Sequence, residues 1–561
     1  MTLESTLPGD QIRTLISDAL EEAMRSGTLP QVDPPPVSVE RPQNIENGDF
    51  ASSTPLKLAR PMRMSPLQIA ENLAELIPVG GQVERVWAAK PGFVNIALSP
   101  EWLASQVDLI RDADDTYGNI NIGDGKRVQV EFVSVNPTGP VHVGHARGAV
   151  IGSALAKILE AAGYSVEREY YLNDSGNQMG HFHKTLLARY KQANGVAAEI
   201  HAEGYQGDYM VDLAREISDQ EGRRFLEMDD AEAEAELGEI GLQRMVDAIR
   251  SDMSTLRVDY DSWFSERSLF TDGQFDATMK LLKDQGYVAE KDGATWFTSS
   301  ALGDDEDKVI IRSTGVPTYF ATDMAYHYDK FKNRGFDRVI DIFGADHQGH
   351  ARFFKAMTPA LGIEDCRLEL LLYQLVTLKR GDEVVRLSKR TGDLITLREL
   401  IEEVGADACR FVFLSRSIDS QMDFDLELAK EESAENPVYY VQYAHARIAS
   451  ILRLATERGI DFTDGDTSLL DHESELALIR KMLVLPETVE FMAENMEPQH
   501  LPHYAIELAT SFHTFYQQRR VVSSKPEDLD VTKSRLKLVD AARTVLARCL
   551  DLMLMEAPDK M

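Results

Sequence analysis

Residues 128–172 spell out a complete strand, turn, helix and strand, and this restricts the fold more than any other stretch of the chain. Val128-Gln-Val-Glu-Phe-Val-Ser-Val135 alternates apolar and polar residues at the two-residue period of a strand. Asn136-Pro-Thr-Gly-Pro140 is turn chemistry. From about 146 to 162, Val150, Ile151, Ala154, Leu155, Ile158 and Leu159 share one helical stripe, and Gly163 ends it. Residues 164–172 then read as a second strand. A βαβ unit of this kind predicts an α/β fold with a doubly wound, parallel, Rossmann-like sheet.

The remaining chain is too long for that unit alone. Its 561 residues, 43% hydrophobic and 27% charged, are globular in composition and suit about three to five domains. Residues 1–118 read as an α+β module. They hold apolar positions at helical spacing within 10–24, a Pro-rich break at 30–36, a second helix within 60–76 and an alternating strand at 93–98. The α/β domain follows over 119–430, with a charged helical insertion at about 181–285 and further strand patterns at 309–312, 338–343 and 368–378. Residues 431–561 read as an all-α helical bundle, with helices at 440–454, 474–496, 501–520 and 532–555. Pro486 should kink or split the second of these.

Lys plus Arg number 59 and Asp plus Glu 92, a formal net charge of −33. Taken alone, that opposes a nucleic-acid partner, which needs local basic patches to bind such a surface. The acidic run 227–236 reads as a solvated helix face. Cys366, Cys409 and Cys549 are too scattered for a disulfide framework or a four-cysteine zinc site, and they suit a reducing, cytoplasmic setting. The N-terminal 18 residues resemble neither a signal nor a transit peptide. No uninterrupted apolar run reaches the roughly 18 residues of a membrane span.

Two short motifs carry chemistry. His142-Val-Gly144-His145 lies between the first strand and the N-terminus of its helix. Unpaired N–H groups and the helix dipole favour anions there, Gly144 admits a close neighbour, and two histidines can donate to a phosphate chain. The plainer reading is that the histidines only cap the helix; the position after a strand favours the phosphate. The second motif, Arg386-Leu-Ser388-Lys389-Arg390 followed by Thr391-Gly392, places three cations within five positions. Alone it is a solvated basic turn. Paired with the first motif it becomes a clamp for a polyphosphate, with Lys389 as a point charge on the leaving phosphates.

Together these motifs resemble the HIGH and KMSKS signatures of class I aminoacyl-tRNA synthetases. The residues around them are similar to the arginyl-tRNA synthetase family: 131–145, 171–179, 261–266, 318–327, 344–350 and 436–447, with Asn47-Gly-Asp-Phe-Ala51 in the N-terminal module. The departures are Arg386 and Leu387 at the first two positions of KMSKS. The resemblance implies ATP-dependent activation of L-arginine to the adenylate and transfer to the terminal adenosine of tRNA(Arg). It implies catalytic roles for His142, Gly144, His145 and Lys389, with Ser388 joining them at ATP. ATP would carry Mg²⁺ as a substrate; no zinc, DNA or membrane partner is expected, and the protein should be a monomer. The bundle would bind the anticodon, and the N-terminal module would also contact tRNA.

Arginine's guanidinium offers five donors in a plane and asks for carboxylates or carbonyls. Tyr319 and Asp323, four apart at a helix start, share one face. Asp323 can pair with the guanidinium and Tyr319 can stack on it, although a helix carboxylate is as easily a surface group. Glu131 can hold the α-amino group and Asn136 the carboxylate edge. The family pattern adds Ser134 and either His347 or Gln348. In the bundle, Tyr516 with Arg519 and Arg520 suits RNA, by stacking and phosphate contact, and about half of the neighbouring aromatics should be core. The basic run 533–537 is a further expected tRNA face. A class I ligase for another amino acid and a non-catalytic tRNA-binding paralogue remain open as alternatives.

Overall fold

The computed structural model describes residues 7–381, 383–385 and 395–561, with the backbone alone at 347, 348 and 365. Its central sheet has five strands, first to fifth in chain order: Arg127–Phe132, Ser165–Leu172, Ser262–Ser265, Arg338–Gly344 and Leu368–Tyr373. Across the sheet they run fifth, fourth, first, second, third. Every neighbouring pair is parallel. The winding therefore reverses between the first and fourth strands, and the crevice beyond the carboxyl ends of strands at such a reversal is where ligands bind.

Alternation along the strands feeds two cores. Val128, Val130, Phe132, Ile340 and Ile342 pack with the helix Val143–Ala161. Val339 packs on the opposite face, with Phe353, Phe354 and residues of the helix Tyr319–Tyr328. The helix Val143–Ala161 is buried on nearly every side. It lies close to the sheet because small residues face the strands. A methyl at Gly152 would stand 2.2 Å from the Phe132 ring. Gly152→Ala should therefore destabilise the protein by roughly 1–3 kcal/mol, the usual cost of overpacking, read as a lower denaturation midpoint with unchanged slope.

Around the sheet the chain departs in places from its periodicity. The insertion is three helices, Gly176–Ala193, Asp208–Glu221 and Asp230–Thr255, with a core of their own. It ends sooner than 285, because Ser262–Ser265 returns to the sheet. Lys308–Ile311 belongs to a separate antiparallel sheet with Val288–Lys291 and Ala294–Phe297. The run 368–378 is two strands: Val376–Arg380 leaves the central sheet to pair with Met422–Asp425. The N-terminal module holds a three-stranded antiparallel sheet. Its last helix, Pro100–Ala113, docks on the bundle through Arg111–Asp540 at 2.9 Å and Lys537–Asp108 at 3.0 Å. Pro486 splits the expected helix into Glu473–Met482 and Leu485–Asn495. With Pro437–Glu457, His500–Gln518 and Leu529–Leu552 these complete the bundle. No helix among the described residues is long and apolar enough to cross a membrane.

Candidate active site

The site is built at the winding reversal, where the first strand ends. Val133 and Ser134 follow that strand with φ of 71° and 43°. Two successive non-glycine residues in the left-handed region, one of them β-branched, are strained backbone of the kind concentrated at functional sites. The turn delivers the chain to His142, which caps the helix Val143–Ala161: its Nδ1 accepts the Gly144 N–H at 3.1 Å. The capping reading is thus correct for His142, and it leaves the helix N-terminus aimed into the crevice. The rings of His142 and His145 lie 3.7 Å apart. Gly144 makes this possible, since a Cβ there would meet the His142 ring at 2.9 Å.

Arg386, Ser388, Lys389 and Arg390 lie outside the described residues. Immediately after them the chain is fixed on the histidine motif: Val143 N–H donates to Ile395 at 3.1 Å, and Leu397 N–H to Val141 at 2.9 Å. Arg147, fully buried, ties the same helix to the segments between the central and smaller sheets. It donates to the carbonyls of Gln374, Ser417 and Ser420 at 2.7–2.9 Å. Burial draws its guanidinium down to about 10.

Beside the histidine motif is an acidic floor. Glu169, Glu131 and Asp341 stand in register on the second, first and fourth strands, a row of three carboxyls across a buried sheet. Like charges side by side are destabilising and buried charges need partners. Lys330 donates to Glu131 at 2.7 Å and to Asp341 at 2.8 Å. His327 bridges Asp341 Oδ2 and the Asp323 carbonyl, both at 2.8 Å. Arg334 and Tyr326 serve Glu169. Burial would raise the Asp341 carboxyl, but Lys330 and His327 overcome it and hold it down at about 2. Burial keeps Glu131 above the ordinary carboxylate range, with Lys330 opposing and Asp341 reinforcing it.

Asp323 sits on the same face of the helix as Tyr319, as their spacing predicts. Burial, then the charges of Glu131, Glu266 and Asp341, raise its carboxyl well above the usual range. It is not one of the two carboxylates that Lys330 binds. The Tyr171 hydroxyl is buried near Glu266, Asp323 and Glu131 without a well-formed hydrogen bond among the described residues. Five carboxyls thus outnumber Lys330, Arg334 and His327 beside them, and burial with mutual repulsion favours the neutral form of Asp323 until a further cation arrives.

The other expected residues fall in different surroundings. Tyr319 is 52% exposed, its ring 5.2 Å from His350. Asn136 donates to Gln178 of the insertion at 2.6 Å. The Ser134 hydroxyl donates to Glu131 at 3.0 Å and accepts the Tyr171 N–H at 3.1 Å, so its place is to hold Glu131 rather than to present a free group. His347 and Gln348 lie in the turn Ala345–His350 with their side chains outside the described residues. Tyr171, Glu266, His327, Lys330 and Asp341 escaped the sequence reading; strand alternation in 164–172 and the acidic position ending 261–266 were the available signals. Among the described residues no group of three or more His, Cys, Asp or Glu is arranged to hold a metal ion.

In the bundle, Phe515 and His445 are core, whereas Tyr516 is exposed. Arg447 lies between two rings, 4.7 Å from Tyr443 and 5.2 Å from Tyr516. Arg520 is exposed and Arg519 half-buried. The run 533–537 departs from expectation. Lys533 pairs with Asp464 and Arg535 with Glu475, both at 2.7 Å, and Lys537 is buried against Asp108.

Comparison with known proteins covers nearly the whole chain. Residues 10–98 match the family model of the arginyl tRNA synthetase N terminal domain. Residues 107–449 match that of tRNA synthetases class I (R), catalytic domain, and 441–561 the DALR anticodon binding domain. The chain is similar to an arginine–tRNA ligase of Dehalococcoides mccartyi, 56% identical over 97% of this chain and 98% of that one. One from Carboxydothermus hydrogenoformans is 46% identical over 96% and 97%. The Thermus thermophilus arginyl-tRNA synthetase structure shares the fold, with a TM-score of 0.75 at 23% identity, covering 99% of this chain and 100% of that one. Three family models that together span nearly the whole chain, and relatives 46–56% identical along almost their entire length, show that the chain belongs to the arginyl-tRNA synthetases.

Proposed function

We propose that this protein ligates L-arginine to tRNA(Arg) in two steps at one site. Arginine's carboxylate attacks the α-phosphate of ATP, forming arginyl-adenylate and releasing pyrophosphate. A ribose hydroxyl of the terminal adenosine of tRNA then attacks the adenylate carbonyl and AMP leaves. Neither step needs a covalent enzyme intermediate; positioning and charge stabilisation suffice. Asp323 takes the guanidinium with Tyr171 and Tyr319 beside it, Glu131 holds the α-amino group, and Asn136 the carboxylate edge. His142, His145, the helix N-terminus they flank, Ser388 and Lys389 hold ATP, which brings Mg²⁺ as part of the substrate.

The observation that carries this reading is the excess of buried carboxyls around Asp323. A bound cation relieves it while letting Asp323 ionise, and a site built to pair a guanidinium rejects analogues lacking one by leaving its acceptors unpaired. Arginine-dependent ATP–pyrophosphate exchange, with and without tRNA, tests it. Exchange should be seen with arginine and not with lysine or cysteine. Exchange driven equally by another amino acid would overturn the assignment.

The acidic protein must grip tRNA through few basic positions. We assign the anticodon loop to Arg447 with its flanking tyrosines and to Arg519 and Arg520, and a second contact to the N-terminal module, with the protein acting as a cytoplasmic monomer. Because 533–537 is paired internally, the slope of log affinity against log salt should be moderate. Replacing Arg519 and Arg520 by alanine should flatten it by roughly one to two units. Identical slopes in a salt series would remove both arginines from the phosphate contact.

A further inference from the structure

The acidic row poses a question the reaction itself leaves open: what allows three in-register carboxyls to persist in a buried sheet. Lys330 is fully buried, and its ammonium sits 2.7 Å from Glu131, 2.8 Å from Asp341 and 4.0 Å from the centre of the Tyr326 ring. It lies in a π-helical turn, Asp329–Asn333, that directly continues the helix carrying Tyr319 and Asp323. Such wide turns are uncommon and concentrate at functional sites. The same helix therefore presents Asp323 to the pocket and carries a cation beneath it.

We propose that Lys330 is a positioning residue for amino-acid recognition: it clamps Glu131 and Asp341 side by side beneath Asp323 and supplies the charge that keeps this acidic row in place. The proposal rests on the arginine reading of the site. Lys330 touches no substrate. It acts through Glu131 on the first strand and through Asp341, which in turn holds His327 and, through it, the Asp323 backbone. The other titratable groups around it are Glu169 and Tyr171 on the second strand, Tyr326 and Asp323 on its own helix, Arg334 beyond the turn, Glu266 and Tyr260. Arg334 is committed to Glu169 and Glu167, so it does not replace Lys330 at Glu131. Without the ammonium, Glu131 and Asp341 would take up a proton near neutrality, because burial and mutual repulsion both favour the neutral form. The pocket would then lose the negative charge that faces the substrate.

The test is arginine binding by calorimetry to the full-length protein over about pH 6 to 9, with the ATP KM measured alongside. Lys330→Met should weaken arginine binding by about 10-fold or more at neutral pH and recover as the pH rises, its profile displaced upward by about one unit or more. Lys330→Arg, which keeps the charge, should retain the wild-type profile. The ATP KM should stay within about 2-fold, since that end of the site is untouched. If the methionine variant does not fold, Lys330→Met with Asp341→Asn removes one orphaned carboxylate and leaves Glu131 to report the same upward displacement. A profile that superimposes on wild type, or a loss equal at every pH, reduces Lys330 to a structural residue and overturns the proposal. Wild-type protein that binds no arginine overturns the site reading and this proposal together.

Discussion

Replacing Asp323 by asparagine should raise the KM for arginine by about 10- to 150-fold, corresponding to roughly 1.5–3 kcal/mol for a lost charge-assisted hydrogen bond. The isosteric amide keeps the shape of the pocket and removes the charge, so the KM for ATP should hardly move. In the free protein burial and the charges of Glu131, Glu266 and Asp341 hold the Asp323 carboxyl well above its ordinary range. Arginine must therefore bind the ionised form against a standing tendency to protonate. Lowering the pH through that raised value should increase the wild-type KM for arginine, and Asp323→Asn should be flatter over the same window.

The linkage sign for folding is the opposite. A carboxyl whose folded-state proton affinity is raised contributes stability below its unfolded value, and this is lost as the pH rises towards the folded one. The asparagine variant should therefore melt no lower than wild type at neutral pH in the absence of arginine. A KM that rises with no loss of melting temperature marks Asp323 as a recognition group kept at a cost to stability. An unchanged arginine KM, with ATP binding impaired instead, would move Asp323 out of the amino-acid pocket.

The sheet and its helix were legible because period-two alternation and a helical stripe are separated by turn residues in 128–172. The same alternation does not reveal that the floor of the site is a buried, paired row of carboxyls. The sequence singles out Glu131 for the α-amino group, but alternation alone does not show that it and Gln129 are buried, as both are. They are tolerated because partners arrive from far along the chain: Lys330 from 199 residues away and Glu169 from 40. No local pattern reports such pairing. Ser262–Ser265 was missed as a strand because four residues are too short for a period to register. The run 368–378 was read as one strand because its apolar character does not change where the chain passes from one sheet to another at Gln374 and Leu375. Tyr319 and Asp323 were found because both lie within one helix, where four-residue spacing is enough.

The phosphate end should respond differently from the amino-acid end. Lys389→Ala should lower the rate of adenylate formation by about 10²- to 10³-fold, the usual loss when one preorganised group is removed from developing charge, while arginine affinity stays near wild type. Charge accumulates on the β- and γ-phosphates as the bond to the α-phosphate breaks. The described groups that can meet it are the helix N-terminus behind His142 and the two adjacent histidines. A helix end supplies about half a charge and the imidazoles supply hydrogen-bond donors, so a full positive charge is the remaining requirement. Ile395 and Leu397, a few positions after the basic run, are hydrogen-bonded to Val143 and Val141, so the chain is tied to the histidine motif soon after the run. If Lys389 and His145 act on the same departing phosphates, the double variant Lys389→Ala with His145→Ala should lose much less than the product of the two single losses. Single-turnover adenylate formation reads this directly. Arg386→Ala provides the contrast: a comparable loss there would mean that the first cation of the run, not Lys389, carries the charge. A wild-type rate for Lys389→Ala would remove the basic run from the reaction altogether.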